Sequence, residues 1–143
     1  GRTARNAVMF GPPGYAYVYR SYGIHWCLNF ICEPKGSASG ILIRALEPLK
    51  GVEKMLQRTG KKIPDNSLTR GPGNVSKALG LHVSQSGWLL GSKEFFIAED
   101  GGLFSGKQIA SSPRIGVDYA EEDALLPYRF YVKGNPFVSG KPK

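Results

Sequence analysis

Apolar and polar positions alternate with period two along GYAYVYRS. Tyr15, Tyr17 and Tyr19 fall on one face, and Ala16, Val18 and Arg20 on the other, which predicts a β-strand. The alternation fails at Tyr22, which is out of phase with the other tyrosines and precedes Gly23, so a turn is expected there. HWCLNFIC resumes as a strand and closes a hairpin with Tyr22 near its tip. EPKGSASG is a turn-rich connection into a third strand, ILIRALEP, which ends at Pro48. GVEKMLQRTG predicts a short basic helix, KKIPDNSLTRGPG a loop, and Pro72-Gly73 open a second helix through NVSKALGL. SKEFFIAEDG, PRIGVDY and YRFYVKGNPF predict further strands, with AEEDALLP a short helix or turn between the last two. With no repeat, low-complexity tract or linker, one domain over residues 1–143 is expected. Its class is α+β: a curved, mostly antiparallel sheet with flanking helices and a protruding β-hairpin.

Two polar residues break the apolar strands. Arg44 lies in ILIRALEP and shares a face with Leu42 and Leu46. A guanidinium among Ile and Leu is costly to desolvate unless an anion meets it, and its own strand holds no carboxylate before Glu47. It is either a group that positions a catalytic carboxylate or its water, or a structural ion pair or snorkelling side chain. Asn29 shares a face with Cys27 and Ile31; its amide either reads a base edge or is satisfied by backbone. Tyr22 at a hairpin tip is either a wedge for a base stack or a tyrosine folded back on the sheet. The Tyr15/Tyr17/Tyr19 face is either a stacking platform or core packing. GPGNVSKAL opens a helix N-terminus suited to a phosphate but lacks the P-loop pattern. His25 and His82 have no Ser or Cys partner that makes a nucleophilic triad.

Composition narrows the partners. The formal charge of +8 favours a polyanion, nucleic acid before a membrane surface. The 2 cysteines, Cys27 and Cys32, fall on opposite faces of one strand and cannot bridge each other there. No zinc pattern is present, so no metal is expected. A reducing, intracellular compartment follows, cytoplasmic in a bacterium or nuclear in a eukaryote, and no transmembrane run or signal pattern is seen. The chain opens on Gly1 rather than Met, as a processed chain or fragment does.

In order, TARN…MF, YVYRSYGIHWCLN, ILIRALEP, GPGNVSKALGL, RIGVDYA and YRFYVKGNPFVS resemble the alkyladenine (3-methylpurine) DNA glycosylase family, from Thr3 to about Ser139. The resemblance implies a monofunctional base-excision repair hydrolase acting as a monomer on double-stranded DNA, with no cofactor. Such an enzyme flips a damaged purine (3-methyladenine, 7-methylguanine, hypoxanthine or ethenoadenine) and hydrolyses its N-glycosidic bond. By the same resemblance Tyr22 intercalates, Tyr19 stacks on the flipped base, and Asn29, beside Cys27, excludes the 2-amino group of guanine. Arg44 holds the catalytic carboxylate and the attacking water. Ile24 and His25 meet neighbouring bases and backbone, and Thr3, Ile115 and Gly116 make further backbone contacts. Gly71 and Asn74 sit at a phosphate contact, with Asn74 where some relatives carry a basic residue. The family's general base is a glutamate in an E-x-E-A-Y-like motif that lies upstream of Gly1, so the domain is expected to be N-terminally incomplete and this chain to fall short of full activity. The alternative is a non-catalytic lesion- or nucleic-acid-binding module.

Overall fold

The computed structural model describes residues 1–102 and 104–140. The predicted hairpin forms. Strand β1 (Ala16–Ser21) pairs antiparallel with β2 (His25–Ile31), with Ala16 opposite Phe30 and Ser21 opposite His25. Period two then divides the work of this ribbon. Ala16, Val18 and Leu28 enter the core with Leu81, against partly buried Trp26, Phe30, Ile43 and Leu79. Tyr17, Tyr19, Cys27 and Asn29 occupy the other face, as registered pairs Tyr17–Asn29 and Tyr19–Cys27.

β2 pairs on its far side with β3, which is only Gly40–Leu42, so Arg44 stands outside the third strand in which the sequence set it. Hydrogen bonding explains the shortening. After the Ile43 amide donates to Leu28, the Arg44 carbonyl accepts from Gly71 and the Leu46 amide donates to Thr69. The chain has left β2 for the segment that leads into the second helix.

Helix α1 (Val52–Thr59) and helix α2 (Pro72–Leu79) are where their patterns predicted them, and each ends at a glycine in the left-handed region, Gly60 and Gly80. α2 packs on β2 with Val75 and Ala78 fully buried, and α1 packs on α2. The Arg58 guanidinium of α1 lies against Gly80 and donates to the Ala78 carbonyl at 3.1 Å, capping α2.

Of the remaining expected strands, YRFYVKGNPF forms over Arg129–Val132 and the other two do not. The segment 92–101 is not a strand: the Ser92 hydroxyl bonds both the Phe95 amide and carbonyl, closing a turn, and only a Gly91–Phe96 bridge forms. The segment 113–119 is not a strand either, because Pro113 lacks a donor and Gly116 has φ 74. The strand lies just before it. β4 (Ile109–Ser112) pairs antiparallel with β5 (Arg129–Val132), with Ser112 opposite Arg129, so one curved sheet is replaced by a three-stranded and a two-stranded sheet. The stretch Asp118–Leu125 between them is a kinked 3-10 helix. The class is α+β as expected.

Candidate active site

The non-core face of the hairpin forms one wall of a cleft of about 1280 Å³. Tyr17, Tyr19 and Asn29 come from this wall, Arg44 from the segment after β3, and Arg129 and Tyr131 from β5. Phe104, Ile115 and Tyr119 also line it. The cleft therefore lies between the two sheets, and neither sheet holds it alone.

Tyr17 and Tyr19 stack at 5.4 Å with an interplanar angle of 22°. Arg5 lies over the Tyr19 ring at 5.6 Å and donates to the Arg20 carbonyl at 2.7 Å, tying the N-terminal segment to β1. Burial, then the neighbouring Cys27 thiol, push the Tyr19 phenol up to about 12, so its hydroxyl is neutral and able to donate at physiological pH. Asn29 is 8 % exposed and donates only a long bond, 3.5 Å, to the Tyr17 carbonyl, which leaves its amide oxygen unengaged among the described residues. Burial and the charge of Arg129 disfavour the cationic form of Arg44. Its Nε donates to Ser139 Oγ at 3.4 Å, and among the described residues no carboxylate pairs with it. Glu33 and Glu47 also line the cleft, but Glu47 accepts instead from Asn135 at 2.9 Å.

The hairpin tip is a second cluster. Tyr22 is 88 % exposed at φ 49, a left-handed conformation that costs a non-glycine residue about 1 kcal/mol or more. Ile24 is also exposed, and the Ile24 amide closes the turn on the Ser21 carbonyl. His25 lies so close to Gly73 that a β-carbon there would sit 2.8 Å from His25 Nδ1. That contact joins the tip to the first turn of α2. Gly71 precedes that turn at φ 105, and the Asn74 amide bonds the Arg70 carbonyl at 2.9 Å.

The structure thus brings Tyr19, Asn29 and Arg44 together at the cleft, with Thr3 and Ile115 at its lining, and Tyr22, Ile24, His25, Gly71 and Asn74 along the hairpin-to-α2 edge. Cys27 lies buried opposite Tyr19 across the hairpin and is not part of the lining; Gly116 adjoins Ile115 but does not line the cleft. Arg129, Ser139 and the Tyr119/Tyr128/Phe130 group also line it and were not found from the sequence. In RFYV, period two puts Arg129 on one face with Tyr131, the same signal that drew attention to Arg44.

The cysteines give a direct check on this layering. Burial raises the Cys27 thiol, so little thiolate forms near pH 8, whereas Cys32 is exposed. Iodoacetamide at pH 8 is expected to label Cys32 alone in the native protein, and both cysteines after unfolding, as read by peptide mass spectrometry. Equal native labelling would contradict the buried placement of Cys27.

No helix of the described residues is long and apolar enough to cross a membrane, and no group of His, Cys, Asp and Glu among them is set to hold a metal. A family model described as methylpurine-DNA glycosylase matches residues 1–136. A Rhodopseudomonas palustris (strain HaA2) protein named "Putative 3-methyladenine DNA glycosylase" is 51% identical over 140 residues, covering 97% of this chain and 66% of that protein. Proteins of the same name from Burkholderia cenocepacia (strain HI2424) and Nitrosospira multiformis are each 45% identical, across 98% and 97% of this chain. The chain spans about two thirds of the length of these relatives, 66% to 68%.

Proposed function

This chain belongs to the methylpurine-DNA glycosylase family, and on that premise we propose that it serves as a monofunctional DNA glycosylase, excising alkylated or deaminated purines from duplex DNA. One observation carries the reading: a single hairpin presents an exposed, strained Tyr22 at its tip while its inner face walls a cleft that also holds Arg44. A wedge and a receiving pocket on one rigid ribbon are what base extrusion requires.

In this reading the duplex lies along the hairpin tip and α2. Tyr22 fills the space left by the damaged nucleotide. Ile24 and His25 meet its neighbours, and the backbone amides after Gly71 face a phosphate. The extruded purine enters the cleft against Tyr19. The Asn29 amide would leave the 2-amino group of guanine crowded and unpaired, which rejects the normal base while admitting adenine-like lesions and hypoxanthine. Cleavage passes through an oxocarbenium-like sugar. A carboxylate activates the water, and Arg44 orients both. That carboxylate is the glutamate that the family pattern sets upstream of Thr3. The substrates are 3-methyladenine, 7-methylguanine, hypoxanthine and ethenoadenine; the two cationic lesions depart most readily, which offsets the poor fit of the 2-amino group that 7-methylguanine retains.

The test is a duplex oligonucleotide carrying one hypoxanthine. The full-length protein, carrying the upstream glutamate, should convert it to an abasic site, seen as alkali-labile cleavage, with no cleavage before alkali because no Schiff base forms. The second reading, a lesion-binding module, is favoured by the bond of Arg44 to a neutral serine rather than a carboxylate. Tight lesion binding without abasic sites supports it. A further expectation concerns the wedge. Tyr22→Ala should weaken binding to lesion duplex by about tenfold to a hundredfold, the worth of one stacked aromatic, and leave single-strand binding nearly unchanged. Equal losses on both, in a fluorescence anisotropy titration, would remove the intercalating role.

A further inference from the structure

We infer that Arg129 is a positioning residue for Arg44, acting through Ser139 and adding a second positive charge behind it. The inference deepens the functional reading above and rests on it.

Arg129 is 5 % exposed, yet its acceptors are all uncharged: Ser112 Oγ at 3.1 Å, the Ser139 carbonyl at 2.5 Å and the Gly140 carbonyl at 3.4 Å. Its guanidinium also lies 4.7 Å from the centre of the Tyr131 ring. Among the described residues it has no carboxylate partner. A buried cation held only by dipoles is an expensive way to join β4, β5 and the following segment, because an apolar side chain of similar volume does so at less cost in desolvation. The arrangement makes sense through what lies beyond it. Arg129 clamps the Ser139 backbone, and the Ser139 hydroxyl then accepts from Arg44 Nε at 3.4 Å. Arg44 comes from the other sheet's side of the cleft, so this short chain of bonds spans the gap between the two sheets and fixes the reach of Arg44. The charge of Arg129 is also felt at Arg44, where it opposes the cationic form. Any anion held by Arg44, a carboxylate or a water losing its proton, gains from that second cation at a distance where screening is weak.

Ser139→Ala and Arg129→Lys, made in the full-length protein, test this with two readouts. The first is independent of catalysis: hydrogen exchange at Arg44 Nε–H, followed by ¹⁵N-edited NMR, should quicken about threefold to tenfold in Ser139→Ala, the worth of one hydrogen bond. The second is single-turnover base release, which should fall about tenfold in Ser139→Ala and Arg129→Lys. The affinity for lesion DNA should stay the same, and neither substitution should slow an Arg44→Gln protein further. Unchanged exchange at Arg44, or full additivity with Arg44→Gln, overturns the inference. If the unsubstituted protein releases no base while Arg44 exchange responds as stated, the link from Arg129 to Arg44 stands and the glycosylase reading falls.

Discussion

Arg44→Gln lowers single-turnover release of hypoxanthine about a hundredfold to a thousandfold, the penalty for deleting one preorganised charged donor at a developing charge. Glutamine keeps much of the side-chain length and can still donate a hydrogen bond, so the loss isolates the charge and the forked geometry of the guanidinium. Stability moves the other way or not at all. Arg44 is partly desolvated beside Arg129, its one side-chain bond is a long 3.4 Å, and no carboxylate among the described residues is left unpaired by its removal. Measured on residues 1–143, the melting temperature of Arg44→Gln is therefore expected to equal or exceed that of the parent. A structural arginine would give the opposite pairing, a lower melting temperature with activity lost only through unfolding. Base release reduced less than threefold would remove Arg44 from the chemistry.

Leu28→Ala lowers the unfolding free energy by about 3 kcal/mol, within the range for a buried leucine truncated in a close-packed core. Leu28 is 1 % exposed, lies opposite Val18 in the ribbon and belongs to the cluster with Ala16 and Leu81. The residues around it sit on two strands and the α2 region, whose backbones are tied by ladder bonds, so collapse into the vacated space is limited. Because Cys27 and Asn29 lie on the opposite face of β2, the cavity opens away from the cleft. Base release at low temperature should then stay within about threefold of the parent, and fall as the destabilised protein begins to unfold. Urea denaturation followed by tryptophan fluorescence measures the first part. A loss under 1 kcal/mol would show that this face is not the core.

Leu28 belongs to a strand pair whose two faces do different things, and the alternation behind that division was legible in the sequence. Alternation in YAYVYRS and HWCLNFIC is local: with a side-chain period of two, it separates Val18 from Tyr17 and Tyr19, and Leu28 from Cys27 and Asn29, while the register of the two strands decided which faces match and which enters the core. The failure of phase at Tyr22-Gly23 marked the turn for the same reason. Helices α1 and α2 were equally readable, since their caps and apolar spacing lie within the segments themselves. The family resemblance drew on these same blocks, and the family is confirmed across residues 1–136. The roles given to Tyr22, Asn29 and Arg44 remain proposals, those of Tyr22 and Arg44 with tests stated above.

Other features depended on which segment was near which. ILIRALEP is strand-like throughout, but β3 stops at Leu42 because the backbone around Arg44 bonds Thr69 and Gly71 rather than β2. SKEFFIAEDG has the composition of a strand, and the hydroxyl of Ser92 turns it instead. QIASS showed little strand signal and pairs with RFYV because β5 is there to receive it. The cleft itself belongs to this class. Taken alone, the sequence determined the alternation within each hairpin strand, the turn at Tyr22-Gly23 and the two helices, since these follow from local periodicity and backbone preference, whereas the exposure of Tyr22 came with the structure. Only the tertiary structure brought Arg129 and Ser139 behind Arg44: they are 85 and 95 residues away from it along the chain, and no local pattern encodes the pairing of sheet edges across such distances.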